Sequence, residues 1–223
     1  MKLAHVDLEQ PIVTNSSCYC EWVIEAPELF SKYVQELLMQ QRQKGGNFVL
    51  SEADKILDIS KVADIIVNPL AVDINDKKVL NKLYLLMNDM AFSEDIYMQT
   101  QQIMQRIYEY ILDIEQRSDY VLSIDETIDI NMLLKAAGVK FEVYEENFVD
   151  TLSRYIQLVS KLLHIKLFVF INLRSFLNEK QLTCLIQDAM YQNVEVIMIE
   201  NQQRTCIDNM KSYIIDKDNC LIF

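Results

Sequence analysis

The residues that could do chemistry in this chain fall into two sets of opposite charge. Asp113, Glu115, Asp119, Asp125, Glu126 and Asp129 concentrate carboxylates in one short stretch. Hard cations take clustered oxygen ligands, and paired carboxylates can move protons. The stretch has no D-x-[DN]-x-[DN]-G loop, so its plain reading is a solvated helix end and loop. The second set lies between Thr151 and Lys180, where Arg154, Lys161, Lys166, Arg174 and Lys180 stand against one acid, Glu179. Helical spacing puts Ser153, Arg154, Gln157, Ser160, Lys161 and His164 on one stripe, opposite Leu152, Ile156, Val159 and Leu163. Two readings are open: a solvated helix face, or a surface that contacts phosphate backbones without reading sequence.

The usual enzyme constellations are missing. The chain has three glycines, Gly45, Gly46 and Gly138, and neither G-x-x-x-x-G-K-[ST] nor G-x-G-x-x-G. A loop that cradles phosphates needs such glycines, so no nucleotide is expected. The apolar run Leu167–Ile171 ends in Asn172, where nucleotide hydrolases place an Asp that reaches magnesium. After the segment Trp22–Ile24 come Glu25-Ala26-Pro27-Glu28, whose two carboxylates would repel a triphosphate. The pattern is that of an ATPase-shaped core without its site. His5 and His164 lie far apart, and the five cysteines, Cys18, Cys20, Cys184, Cys206 and Cys220, have neither zinc-knuckle nor disulfide spacing. Reduced, mostly buried thiols are expected. The chain is therefore expected to bind rather than catalyse.

Composition sets further bounds. The 223 residues carry a formal net charge of -12, which on average repels nucleic acid and leaves room only for a local basic patch. No apolar run approaches the ~20 residues of a membrane span, and the first residues lack a signal-peptide pattern. No membrane contact and a cytoplasmic location are expected.

The elements that must position these residues read as follows. Leu3–Leu8 and Tyr19–Ile24 alternate around Asn15-Ser16-Ser17, as a hairpin would. Pro27 opens a helix that Lys44-Gly45-Gly46-Asn47 ends, and Phe48-Val49-Leu50 starts a short strand. Ser60 can cap a helix over Lys61–Val67, Asp76 can cap the next, and a long one follows over Glu94–Ile114. Asn131–Ala137 is helical up to Gly138, and Val139–Val143 alternates as a strand. Phe148–Leu163 is strongly amphipathic, Leu167–Ile171 and Val194–Ile199 are strands buried on both faces, and Asn178 or Thr183 starts the helix between them. Tyr213–Ile215 and Cys220–Phe223 flank a turn. The expected fold class is α/β: a mostly parallel core sheet resembling a degenerate ATPase head, with an inserted helical domain and terminal hairpins. Residues 1–53 and 135–223 would form the discontinuous core, and 54–134 the helical domain.

Several blocks together resemble one family. They are Val62-Ala63-Asp64-Ile65-Ile66 with Asp73-Ile74-Asn75; Leu133 through Glu142 around Gly138-Val139; Lys161 through Asn172 with Phe176-Leu177; Val194–Glu200; and Tyr213-Ile214-Ile215-Asp216-Lys217-Asp218. Their order and spacing are similar to the short form of the Csn-two family of type II-A CRISPR systems, over nearly the whole chain. The resemblance implies a ring-shaped homotetramer with a basic central hole that linear double-stranded DNA enters by its ends. It implies a part in spacer acquisition beside the CRISPR integrase subunits and the RNA-guided effector nuclease, and calcium ions that support the ring. It assigns DNA contacts to Lys135 and Lys140 around the Gly-Val turn and to Lys161 and Lys166 before the buried strand, with Arg154 as their helical neighbour. Asp125 and Glu126 stand where the family's calcium-binding acids would be. The preceding acidic run is partly replaced by Tyr120-Val121-Leu122-Ser123-Ile124, which puts the calcium in question. Two rivals stay open: a metal-dependent nuclease using the acidic residues, and a protein-only assembly subunit with a degenerate ATPase core.

Overall fold

The computed structural model describes residues 1–14, 19–53, 55–125, 127–144, 147–205 and 210–222. The expected turn at Asn15-Ser16-Ser17, Cys18, Glu126, Cys206 and Phe223 lie outside them. Along the chain run β1 (Lys2–Ala4), β2 (Ile12–Val13), β3 (Tyr19–Ile24), α1 (Pro27–Gln41), β4 (Val49–Glu52), β5 (Lys55–Leu57), α2 (Ile59–Val62) and β6 (Ala63–Ile66). The helices α3 (Lys77–Ala91), α4 (Tyr97–Gln116) and α5 (Ile130–Ala136) follow. The chain ends with α6 (Phe148–Leu163), β7 (Leu167–Ile171), α7 (Glu179–Tyr191), β8 (Glu195–Glu200), β9 (Met210–Ile215) and β10 (Leu221–Ile222).

The core is a six-stranded sheet in the order β10-β9-β3-β8-β7-β6. Five strands, β9, β3, β8, β7 and β6, are parallel, and β10 pairs antiparallel with β9 at one edge. A parallel sheet needs helices on its faces and apolar residues on both sides of each strand. Every residue of β7 is buried. Cys20, Trp22, Ile24, Ile197 and Ile199 on one face join a cluster with Tyr33, Val34 and Leu37 of α1. Leu3, Ile12 and Leu50 of a second, antiparallel sheet, ordered β2-β1-β4-β5, complete that cluster. The alternate residues Phe168, Phe170 and Met198 are fully buried on the other face. The fold is thus α/β with a mostly parallel core sheet, as expected.

Three elements differ from the sequence reading. Tyr19–Ile24 is no hairpin partner of the first strand: β1 pairs with β2 and β4, while β3 lies between β8 and β9 in the core sheet. Its alternation misleads because Glu21, which looks solvent-facing, is buried in an ion pair. The helix expected over Lys61–Val67 is the single turn α2, capped by Asp58, whose side chain accepts from the Ser60 N–H. Strand β6 follows, because Ala63, Ile65 and Ile66 are buried beside β7. Val139–Val143 is not a strand. The Asn75 side chain accepts from the Phe141 N–H at 2.8 Å and donates to the Phe141 carbonyl at 3.0 Å, so one amide fills the bonds a neighbouring strand would have made. Asn178, not Thr183, caps α7, in a capping box with Gln181. Among the described thiols only Cys20 is buried; Cys184 and Cys220 are exposed, Cys184 because it falls outside the inward stripe of α7 formed by Leu182, Leu185 and Ile186.

The chain divides into two compact units, residues 1–74 with 144–223, and residues 75–143. The sequence reading drew the borders at 53/54 and 134/135; β5, α2 and β6 belong with the sheet, and the stretch 135–143 with the helices. In the second unit Tyr84 of α3 donates its hydroxyl to the Val139 carbonyl at 2.8 Å, fixing the chain beyond α5. No described helix is long and apolar enough to cross a membrane.

Candidate nucleic-acid interface

Helix α6 carries two of the five basic residues. It starts at Asn147, whose side chain accepts from the Asp150 N–H at 3.1 Å, and ends at His164 in the left-handed conformation, φ 58°. Leu152, Ile156 and Val159 bury its inner stripe, which turns Arg154 and Lys161 outward. These two lie two turns apart, about 10 Å along the axis. Lys161 is exposed and also complements the negative end of the helix. The Arg154 guanidinium sits 4.9 Å from the centre of the Tyr144 ring. Beyond the helix, exposed Lys166 donates to Glu52 at 2.7 Å, and that bond holds the Glu52 carboxyl below its ordinary value. So open an ion pair is weak, and a phosphate can compete with Glu52 for the amine.

Lys135 and Lys140 belong to the second unit, one on each side of Gly138. That glycine has φ 67°, a conformation that lets the chain leave α5 at a sharp turn. Lys135 is exposed in the last turn of α5 with its amine 5.8 Å from the centre of the Tyr84 ring, and Lys140 is exposed. The five therefore divide between the two units, Lys135 and Lys140 on one and Arg154, Lys161 and Lys166 on the other. A groove of about 420 Å³ beside Arg154 also holds Asp150 and Asp188, and Ser153 donates to Asp188 at 2.6 Å, so that groove is mixed in sign.

The acidic set forms no comparable site among the described residues. Asp125 is exposed, and no three metal-ligating side chains converge among the described residues. At the carboxyl edge of the core sheet, α1 begins with Pro27 in its first turn, no side-chain cap, and Glu28 as an acid in that turn, an arrangement that disfavours a bound anion.

The model of the family described as CRISPR-associated protein (Cas_Csn2) matches residues 40–219. The chain belongs to this family. No match is found among curated proteins. Among solved structures this Cas_Csn2 protein is similar to an ABC transporter ATP-binding protein from Pyrococcus furiosus, at 9% identity and a TM-score of 0.36, over 95% of this chain and 97% of that one. So slight a likeness bears on neither fold nor function.

Membership makes the role of the Cas_Csn2 protein CRISPR-associated, and it sharpens what sequence reasoning missed. Arg174, counted among the basic residues of its segment, is buried. Its guanidinium donates to Glu21 at 2.8 Å and to the Thr205 carbonyl at 2.7 Å, and its backbone N–H donates to Glu200 at 3.0 Å. Burial pushes the Glu200 carboxyl up to about 7; the Arg174 N–H opposes this and the nearby Glu21 charge adds to it. Desolvation offsets most of what such a buried pair gains, yet losing one partner costs about 3–5 kcal/mol. The cluster ties β3 to the ends of β7 and β8, so Arg174 is a fold residue. Its one sequence signal is Glu21, a lone acid in the run Tyr19–Ile24.

Proposed function

We propose that this Cas_Csn2 protein binds the ends of linear double-stranded DNA without sequence preference, as a ring-shaped homotetramer, and acts by binding rather than catalysis. Its place is spacer acquisition in the cytoplasm, beside the CRISPR integrase subunits and the RNA-guided effector nuclease. The observation that carries the reading is the family match over residues 40–219. Lys135 and Lys140 on one unit, and Lys161 on the other, are exposed on an otherwise acidic chain, which suits phosphate contacts on each. No base-reading motif accompanies them. Calcium, if the oligomer uses it, must draw on more than Asp125.

The test is a gel shift with matched linear and covalently closed duplexes across a salt series. Linear DNA alone is retained, and the affinity falls with a log–log slope of about -0.9 per phosphate contacted. Lys161→Glu weakens retention and leaves the thermal transition unchanged. Equal retention of both duplexes, or a flat salt response, refutes the threaded ring. Cleavage with added magnesium or manganese that Asp125→Ala abolishes favours a nuclease instead.

A further inference from the structure

The chain beyond α5 is fastened to α3 on both sides of Lys140. On one side the Tyr84 hydroxyl donates to the Val139 carbonyl at 2.8 Å. On the other the Asn75 side chain holds the Phe141 N–H and carbonyl, at 2.8 and 3.0 Å. Asn75 immediately precedes Asp76, the cap of α3, so Lys140 runs along the first two turns of that helix. Those turns open with Lys77 and Lys78, both exposed. Lys77 and Tyr84 are seven residues apart, on one face of the helix and about 10 Å along it. The Lys135 amine stands 5.8 Å from the centre of the Tyr84 ring. Four lysines from two distant stretches of sequence are thereby gathered on one side of the helical unit.

We propose that Lys77 and Lys78 complete, with Lys135 and Lys140, one patch that contacts the phosphate backbone of the bound duplex. None of the four is in an ion pair among the described residues. The acids next to them in the chain are Asp76 and Glu142. Asp76 is turned to the helix, its side chain accepting from the Lys78 N–H at 2.7 Å. Stability gives no reason for lysines at this point. A helix start favours acids and disfavours cations, yet the first turn of α3 has no acid and opens with two lysines. Over about 10 Å a duplex carries about six charges, enough to engage every amine. The inference rests on the DNA-end reading and adds to it two residues outside the blocks that resemble the family.

Retention of a linear duplex by the full chain across a salt series tests it. Lys77→Glu and Lys78→Glu each weaken retention. The double variant Lys77→Ala/Lys78→Ala lowers the log–log salt slope by at least about 1.8, two contacts at about 0.9 each. The thermal transition of both glutamate variants equals or exceeds that of the wild type, because an acid suits the first turn of a helix, so lost retention is not lost folding. Lys82→Glu is the control. It makes the same change of charge at an exposed residue of α3 that lies about 160° around the helix from Tyr84, and its retention matches the wild type. A wild type that retains DNA beside Lys77 and Lys78 variants that retain it equally well overturns the patch and leaves the DNA-end reading standing. Equal weakening by Lys82→Glu also overturns the patch, since net charge alone would then account for the effect. A wild type that retains no linear DNA at any salt sinks the DNA-end reading and the patch with it.

Discussion

Glu200→Gln should make the protein more stable at alkaline pH and leave it nearly unchanged in acid. Glu200 is fully buried at the end of β8. One oxygen accepts the Arg174 N–H, and the other has no hydrogen-bond partner. Burial raises its carboxyl from an ordinary 4.5 to about 7. A carboxyl whose folded value lies above its unfolded one binds its proton more tightly in the native state. Its stabilising effect is then full below 4.5, is lost as pH rises through about 7, and stays lost above. At about 1.4 kcal/mol per tenfold change in proton affinity, the interval amounts to about 3 kcal/mol. Glutamine keeps the accepting oxygen and cannot ionise, so the variant escapes the loss. The gain at pH 8.5 is about 6–12 °C in Tm for a chain of this size, with little difference at pH 4.5.

The assay is thermal unfolding followed by Trp22, the single tryptophan and fully buried, at several pH values for both proteins. Other acids act in the opposite sense. Hydrogen bonds from Lys32, Lys166 and Ser60 hold Asp7, Glu52 and Asp58 below their ordinary values, and their stabilisation is lost as pH falls. The difference between variant and wild type cancels these and isolates Glu200. A wild type more stable than Glu200→Gln at pH 8.5 would refute the reasoning. It would mean that Glu200 is charged and that the Arg174 and Arg204 charges more than offset its desolvation.

Two further substitutions probe single side chains that replace backbone structure. Asn75→Ala strips both partners from the Phe141 backbone and should cost about 1–2 kcal/mol, with hydrogen-exchange protection lost at the Phe141 amide and kept in α6. Asn172, at φ 54°, accepts from the Asn201 N–H at 3.2 Å. Asn172→Ala loses that bond and strains the left-handed backbone, costing about 2 kcal/mol in urea unfolding; Asn172→Gly, free of the strain, should cost about half as much.

What the sequence made legible follows the range of the interactions involved. The buried strands β7 and β8, the amphipathic α6 and the caps at Asp76 and Asn178 are written in neighbouring residues, and each stands where it was read. Short apolar runs are ambiguous in period, and the stretch of β6 reads as helix on that account; pairing with β7 decides it. Arg174 looked basic because charges were counted along the chain, but Glu21, its partner, is 153 residues away. Val139–Val143 looked like a strand because nothing local shows that Asn75, 66 residues earlier, occupies its hydrogen bonds. The stripe alone puts Lys161 outward, and Lys161 is exposed.

These particulars also explain why binding is assigned to helix and turn surfaces and not to the carboxyl edge of the sheet, where α/β folds usually hold ligands. Several groups at that edge are already engaged. Asn172 donates its N–H to the Ile199 carbonyl at 2.8 Å and accepts from Asn201, closing the ends of β7 and β8 on each other. Arg174 is neutralised by Glu21. Glu28 occupies the first turn of α1, where a phosphate would otherwise find a positive helix end. On α6 and around Gly138 an anion meets the exposed amines of Lys161, Lys135 and Lys140. Amines on a surface gain from a chain of phosphates, each contact adding to the last, whereas a single nucleotide gains little.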